Sequence, residues 1–240
     1  MNRDVELIVK INNEQVEAVN IDFYSTKTSQ FLTLKVLSGN VFSDADIVEL
    51  AYREDDFIVK FATLIISKIV DTKRGVLEIF CRNVFWKEER AYIKAASWRK
   101  ATIKDIVNDL LVNANIVDFD LSKLPDITLE RFSYENSVFI NILNNLIKAV
   151  KFSTDIDLDY DYSIEGAFYF GELGGLEKDL GYSLEFTDAD IIKISKNRIK
   201  LHLLPLLLNQ LVKINSEEFQ VISSRIYINK QSSSTIIRVK

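Results

Sequence analysis

The chain has 240 residues, 48% hydrophobic and 27% charged, a composition typical of a folded globular protein and unlike that of a disordered chain. The net charge of -5 argues against a general polyanion binder, because nonspecific nucleic-acid affinity comes from basic side chains. The single cysteine, Cys81, excludes an internal disulfide framework. No apolar run has signal-peptide or membrane-span length, so we expect cytosolic folding and no membrane partner.

Residues 5 to 83 predict a run of β strands. Apolar and polar residues alternate in ELIVKI, VEAVNIDF, FLTLKVL and VLEIFCR, and polar turns separate these segments. The segment DIVELAYREDDFIVKFATLII predicts a hairpin whose tip is Glu54, Asp55 and Asp56. Strands that follow one another at this spacing are typical of an antiparallel barrel or sandwich.

Two amphipathic helices are predicted in the middle of the chain. The first covers residues 102 to 115, where Thr102 and Asp105 form a near capping box. The second begins at Asn136 or Ser137, because either side chain can accept hydrogen bonds from the free amides of the first turn. Its apolar residues recur at helical spacing and form one stripe: Phe139, Ile142, Leu143, Leu146, Ile147 and Val150.

A hairpin with alternating residues is predicted directly after the second helix. Its apolar positions alternate with four acids, Asp155, Asp157, Asp159 and Asp161. A period of two places successive side chains on opposite faces, so we expect a one-sided strand with its acids in solvent.

From residue 182 onward the chain returns to strand signals, including RIKLHLL, EFQVISSR, IYINK and TIIRVK. The predicted fold class is therefore α+β and mainly β, with two β-barrel-like domains flanking a small α+β insert that carries two amphipathic helices. The predicted boundaries are 1–96 for the first β domain, 97–178 for the insert and 179–240 for the second β domain.

A basic stretch with two tryptophans runs from Arg82 to Lys104. It contains seven basic residues against two acids, with Trp86 and Trp98 among them. Tryptophan and arginine are enriched at the centres of protein interfaces, so this stretch is a candidate subunit or partner interface. Binding of single-stranded nucleic acid and ordinary core packing of the tryptophans are the alternatives. The candidate interface residues are Trp86, Arg90, Trp98 and Arg99.

The sequence predicts no catalytic residue, no cofactor and no metal site. His202 is the only histidine, and no glycine-rich elbow accompanies it, so nucleophilic catalysis is not expected and a half-buried strand histidine is. A calcium loop that begins at Asp155 would need glycine at the sixth and glutamate at the twelfth position, where Tyr160 and Gly166 stand. One cysteine and one histidine exclude a structural zinc site.

Three segments contain motifs that can be compared with a known family. They are the hairpin DIVELAYREDDFIVKFATLII with Asp46, Val48 and Phe57, the helix YENSVFINILNNLIKAV with Tyr134, Ser137, Ile140 and Leu143, and the closing segment LPLLLNQLVKINSEEFQVISSRIYINKQSSSTIIRVK with Val221 and Arg225. At these positions the segments resemble, in this order, the hairpin, a characteristic helix start and the closing barrel of the baseplate-hub family of phage tails. This family includes late-control D-type tail proteins and the hub part of type VI secretion spike proteins.

The resemblance implies a structural hub of a phage tail or a related contractile injection particle. In such a hub, three copies form a ring, and two tube-like β domains per copy give pseudo-sixfold symmetry that joins the tail tube to the spike. The implied partners are further copies of the chain, a tail tube protein, a spike or tail-tip protein and a tape-measure protein. DNA would pass through the lumen without specific binding, in a particle assembled in the bacterial cytoplasm.

Two other functions remain open at this point. Any two of the 35 acids could form the carboxylate pair of a tail-associated hydrolase. The stretch from Arg82 to Lys104 could instead make the chain a nucleic-acid-binding β module.

Overall fold

The computed structural model describes residues 5–26, 29–37, 39, 41–54, 57–72, 75–172, 185–187, 191–195, 197–206, 210–230 and 232–240. The first seven strands are β1 (Val5–Ile11), β2 (Glu14–Gln15), β3 (Ala18–Thr26), β4 (Ser29–Leu37), β5 (Ile47–Glu54), β6 (Phe57–Asp71) and β7 (Val76–Arg82). The alternating segments thus form strands as predicted. The predicted hairpin is β5 paired with β6, and Asp55 and Asp56 of its tip lie outside the described residues.

The middle of the chain contains both helices. In order it has a 3-10 helix (Glu88–Arg90), β8 (Tyr92–Ile93), β9 (Ala96–Thr102), α1 (Ile103–Ala114), β10 (Phe119–Asp120), β11 (Thr128–Tyr134), β12 (Ser137–Val138), α2 (Phe139–Thr154), β13 (Leu158–Tyr162) and β14 (Phe168–Glu172). The last strands are β15 (Glu185–Phe186), β16 (Ile191–Ser195), β17 (Arg198–Leu201), β18 (Leu211–Ile214), β19 (Glu217–Ile228) and β20 (Ser233–Val239). Neither helix in the described part of the chain has the length and apolar character needed to cross a bilayer.

The start of α1 is the predicted one. The Thr102 hydroxyl accepts a hydrogen bond from the Asp105 amide at 3.1 Å and donates one to the Asp105 carboxylate at 2.7 Å. These bonds satisfy one of the four amides that a helix start leaves without an intrahelical partner.

The start of α2 differs from the prediction that Asn136 or Ser137 caps it. The N-cap is Val138, which has no capping side chain. The Phe139 amide instead donates to the Ala91 carbonyl at 2.9 Å, because the chain stays extended through β12 up to the first helical residue. The Asn136 side chain accepts from the Ala95 amide at 2.7 Å. Most of the predicted apolar stripe is buried: Phe139, Ile142, Leu143, Leu146 and Val150.

The acidic strand after α2 is only partly as predicted. Asp155 and Asp157 are exposed and pair with Lys151 at 2.8 and 3.0 Å, but Asp159 and Asp161 are 4% and 6% exposed. All five residues of β13 are buried, so the strand is covered on both faces and the predicted solvent face is wrong there. The Asp159 and Asp161 carboxylates accept from the amides of Tyr160 and Tyr162 at 2.9 and 2.8 Å.

The strands of the two terminal segments form one sheet. Its order is β16-β17-β20-β19-β3-β4-β7-β6-β5-β1-β2, and β18 with β15 joins at β19. Strand β19 pairs with β3 in antiparallel register from Ser223 opposite Thr26 to Ile228 opposite Ile21. Phe23 on β3 meets Phe61 on β6 with ring centroids 5.8 Å apart, although two strands separate them in the sheet. The sheet is therefore curled between β3 and β6, and the barrel-like form of the two β domains stays a prediction.

Two hydrophobic cores lie along this sheet. The first is built by β1 and by β3 to β7 and includes Ile226 of β19, whereas the second contains Phe186, Val212, Val221 and Ile237. The described residues form two compact units, each with more contacts inside it than to the other. One unit contains the residues through Val84, Ile164–Gly166 and the residues from Glu185 onward. The other contains Phe85–Ser163 and Ala167–Glu172. The boundaries 1–96, 97–178 and 179–240 stay a prediction. The two separate cores are consistent with two β domains, whereas the single sheet that both terminal segments share is not expected for fully separate domains.

Candidate subunit interface

The four predicted interface residues lie in the unit that contains both helices, and they fall into two clusters. The first cluster surrounds Trp86, which is half-buried. The Lys87 ammonium and the Arg90 guanidinium lie over its ring, 5.6 and 5.8 Å from the centroid. Arg90 itself is exposed. A cation over an aromatic face contributes about 0.5–1 kcal/mol at exposed sites, so Trp86 supports these basic side chains.

The carboxylate beside this cluster is buried. Glu89, in the same 3-10 helix, is 8% exposed and accepts a hydrogen bond from the Tyr162 hydroxyl at 2.8 Å. This bond ties the 3-10 helix to β13, so the backbone that presents Arg90 is held in place by a buried polar contact.

Trp98 belongs to the second cluster, on the two-stranded sheet of β9 and β11. Its ring is stacked on Phe132 at a centroid distance of 6.1 Å and is tilted against Tyr134 at 5.7 Å. Its indole Nε1 donates to the Asp109 carboxylate of α1 at 3.0 Å. These contacts satisfy the indole internally, so Trp98 positions the sheet on α1. Burial, then the nearby Asp109 charge, raises the pKa of Tyr134 above its usual value.

Arg99 lies directly opposite Arg131 in the β9–β11 register. Both side chains are exposed, and neither has a carboxylate partner among the described residues. Like charges directly opposite each other destabilise a strand pair, so this arrangement has a local cost in the β9–β11 sheet. Sequence reasoning missed Arg131, because its only signal is the strand register that brings it to Arg99.

The described residues show no comparable cluster around the histidine, the cysteine or possible metal ligands. His202 is exposed and follows β17, so the prediction of a half-buried strand histidine is wrong. Within the described ranges, no group of three or more His, Cys, Asp or Glu side chains is placed to hold a metal ion. Cys81 is buried in the first core, and this burial raises the pKa of its thiol well above the usual range.

No protein-family model matches this sequence. No curated protein matches it either. Solved structures do match. A 43 kDa tail protein of prophage MuSo2 from Shewanella oneidensis superposes with a TM-score of 0.69 at 9% identity, over 99% of this chain and 98% of that one. A tail protein from Neisseria meningitidis also gives 0.69, at 12% identity, over 98% of this chain and 96% of that one.

A third structure comes from a secretion apparatus. It is an E. coli protein described as a type VI secretion component with structural similarity to the bacteriophage T4 tail proteins gp27 and gp5. Its TM-score is 0.63 at 10% identity, over 96% of this chain and 76% of that one. At these identities the likeness concerns the fold, and it confirms the predicted mainly β, α+β class. The chain therefore has the fold of phage tail proteins and of a related type VI secretion component, as expected for the baseplate-hub family that its sequence resembles.

Proposed function

We propose that this chain is a structural hub protein at the tip of a phage tail or a related contractile injection particle. The observation that carries the proposal is the match over almost the full length of two tail proteins, at a TM-score of 0.69 for each. Because the match extends over both terminal β segments and the helical unit, it concerns the whole arrangement of elements. A role built on protein contacts needs no catalysis, and we infer that the chain is not an enzyme.

In the proposed particle, three copies form a ring whose six β domains continue the symmetry of the tail tube. The two hydrophobic cores along one curled sheet support this idea, since each copy offers two β bodies. Most soluble oligomers have closed rotational symmetry, which such a ring provides. The ring would contact the tail tube protein on one side and the spike on the other, with the tape-measure protein and then DNA in its lumen.

The cross-strand pair of Arg99 and Arg131 is the proposed contact for an acidic group of the neighbouring copy, with Trp86 and Arg90 in the same interface. The test is the substitution Arg131→Glu. It places a carboxylate opposite Arg99, and opposite-charge cross-strand pairs contribute roughly 0.2–1 kcal/mol, so the isolated chain should keep or gain stability. The interface should lose affinity, because the new carboxylate repels the acidic partner.

Light scattering of the purified chain should give the mass of a trimer for wild type and of a monomer for Arg131→Glu, while thermal unfolding verifies that the variant is folded. Lys148→Glu, a charge reversal at an exposed position of α2, is the matched control and should stay trimeric. A wild-type monomer whose affinity for an oligothymidylate falls steeply with salt would contradict the proposal and favour nucleic-acid binding.

A further inference from the structure

A second cross-strand arginine pair lies on the long sheet. Arg198 of β17 and Arg238 of β20 are directly opposite each other, and both are exposed. Neither guanidinium has a carboxylate partner in the described part of the chain. Two like charges at this spacing repel each other, so the sheet carries a local cost that a bound anionic group would remove.

The pair opens into a depression of about 500 Å³ on the face of the sheet opposite the cores. Strands β3, β4, β17, β19 and β20 supply its lining, so it lies where the amino-terminal and carboxyl-terminal segments meet. A rigid sheet fixes the positions of these side chains, which reduces the entropy lost when a ligand binds.

A third arginine shows the ligand geometry that this depression accommodates. Arg225 binds the Asp22 carboxylate in a two-bond contact, with Nε to Oδ1 at 2.8 Å and Nη2 to Oδ2 at 2.6 Å. A planar guanidinium and a carboxylate match each other in this bidentate form. Arg198 and Arg238 can each form the same two-bond contact with a carboxylate of another molecule.

Beside the polar Thr33 and Ser223, the lining contains aromatic and aliphatic side chains. Tyr24 is 37% exposed, Ile236 is half-buried, and the Phe31 ring carries the Arg82 guanidinium 4.7 Å from its centroid. Aromatic and aliphatic surface beside arginine is the composition of interface hot spots, where apolar side chains of a partner are buried next to a charged contact.

We propose that this depression binds an acidic segment of a partner polypeptide, with carboxylates on Arg198 and Arg238 and an aliphatic or aromatic side chain against Tyr24 and Ile236. A protein segment fits better than a nucleic acid, because Tyr24 and Ile236 beside the arginines can bury an apolar side chain, which a phosphate backbone does not offer. The inference does not rest on ring formation, since a monomer can bind such a segment.

The probe is a fluorescein-labelled peptide of alternating Glu and Leu, titrated with the full chain and followed by fluorescence anisotropy. Arg198→Gln and Arg238→Gln should each weaken binding about tenfold, since each removes one charge-assisted contact. Lys148→Gln, which removes one positive charge at an exposed position of α2, is the matched control and should bind like wild type. Both pocket variants should unfold at or above the wild-type temperature, because each relieves the repulsion between the two arginines.

Four results would overturn the proposal. They are no binding of the Glu-Leu peptide by wild type, equal binding of a Gln-Leu peptide, unchanged affinity in both pocket variants, and tighter binding of an oligothymidylate than of the peptide. The proposal is also overturned if Arg198→Gln or Arg238→Gln converts an oligomer of the chain to monomers, because a second copy then occupies the depression. Light scattering of the same samples detects that outcome and separates it from the result expected for Arg131→Glu.

Discussion

Two buried hydroxyl groups face each other where β3 pairs with β19. Ser25 and Ser224 are opposite each other in the register, and they are 1% and 0% exposed. Neither hydroxyl has a hydrogen-bond partner among the described residues. A buried polar group without a partner costs roughly 1–3 kcal/mol, so this point of the sheet is less stable than an apolar pairing of the same shape.

Replacing Ser224 by alanine should therefore raise the free energy of unfolding by about 1 kcal/mol, because it removes an unsatisfied hydroxyl and leaves only a small change in volume. Urea denaturation of Ser224→Ala and wild type measures the difference. Ser133→Ala, at an exposed position of β11, should change stability very little. A clear loss of stability in Ser224→Ala would mean that the hydroxyl is hydrogen-bonded in solution.

Two tyrosines of the β13–β14 hairpin titrate at high pH. Burial, followed by the negative charge of Glu89, raises the pKa of Tyr160 to about 12. Burial, followed by the charge of Asp120, raises the pKa of Tyr169 to about 12. A tyrosine in the unfolded chain has a pKa of about 10, so between these values the folded state keeps a proton that the unfolded state has lost.

The contribution of these two tyrosines to the free energy of unfolding should therefore be fully present below about pH 10, and it should be lost as the pH rises toward 12. Tyr160→Phe removes one of the two titrating groups, and its stability should fall less steeply over this range. Tyr92→Phe, which changes a side chain that is 68% exposed, should retain the wild-type slope. Denaturation midpoints measured at several alkaline pH values test this prediction, and equal slopes in all three proteins would contradict it.

At the scale of the element, β13 is an edge strand of the described three-stranded sheet, whose order is β10-β14-β13. The amides of Tyr160 and Tyr162 donate to the carboxylates of Asp159 and Asp161 and are thus occupied without a further strand. Charged residues at an edge are a known means of preventing strands from pairing between molecules. This accounts for two acids in a buried strand, where an isolated charge would be costly.

The double substitution of Asp159 and Asp161 by alanine should lower solubility and stability, because it leaves two strand amides without acceptors at roughly 1–3 kcal/mol each. The corresponding asparagine variant keeps an acceptor oxygen at each position and should retain more of both properties. Light scattering on heating and urea denaturation compare the two. An alanine variant that equals the asparagine variant would exclude the capping role.

Local signals predicted the helices well and the hairpin only in part. The apolar stripes and the cap at Thr102 depend on residues within a few positions of one another, so the sequence is sufficient for them. Burial of Asp159 depends on which segments cover each face of β13. This depends on tertiary packing, which the alternation of apolar and polar residues does not reveal. The same holds for Val138, whose capping role depends on the pairing of β12 with β8.

At the scale of the whole molecule, β19 connects the two cores. It contributes Ile226 to the first core and Val221 to the second. The Arg225 and Asp22 contact on the opposite face joins β19 to β3 across 203 residues of sequence. No local pattern predicts such a pairing. Since the Arg99–Arg131 pair and the depression beside Arg238 also depend on strand pairing, Arg99 was predicted as an interface residue without Arg131, and the depression was not predicted.

Ile226→Ala should destabilise the first core by about 2–5 kcal/mol, since Ile226 is fully buried. Because the sheet is continuous, hydrogen exchange should accelerate in β20 as well as in β4. Ile58→Ala, which shortens a side chain that is 54% exposed on β6, is the control and should leave both strands protected. Faster exchange confined to β4 would show that the two cores unfold independently.

The pairing of β3 with β19 also bears on how the protein is made. At a synthesis rate of roughly 5–20 residues per second, the ribosome needs roughly 10 to 40 s to add the chain that separates Asp22 from its partner Arg225. Throughout that interval the free side of β3 is an open template, and a nascent chain on a neighbouring ribosome offers the same unpaired edge. Rapid translation and prompt chaperone binding would therefore favour the native sheet over strand exchange between growing polypeptides.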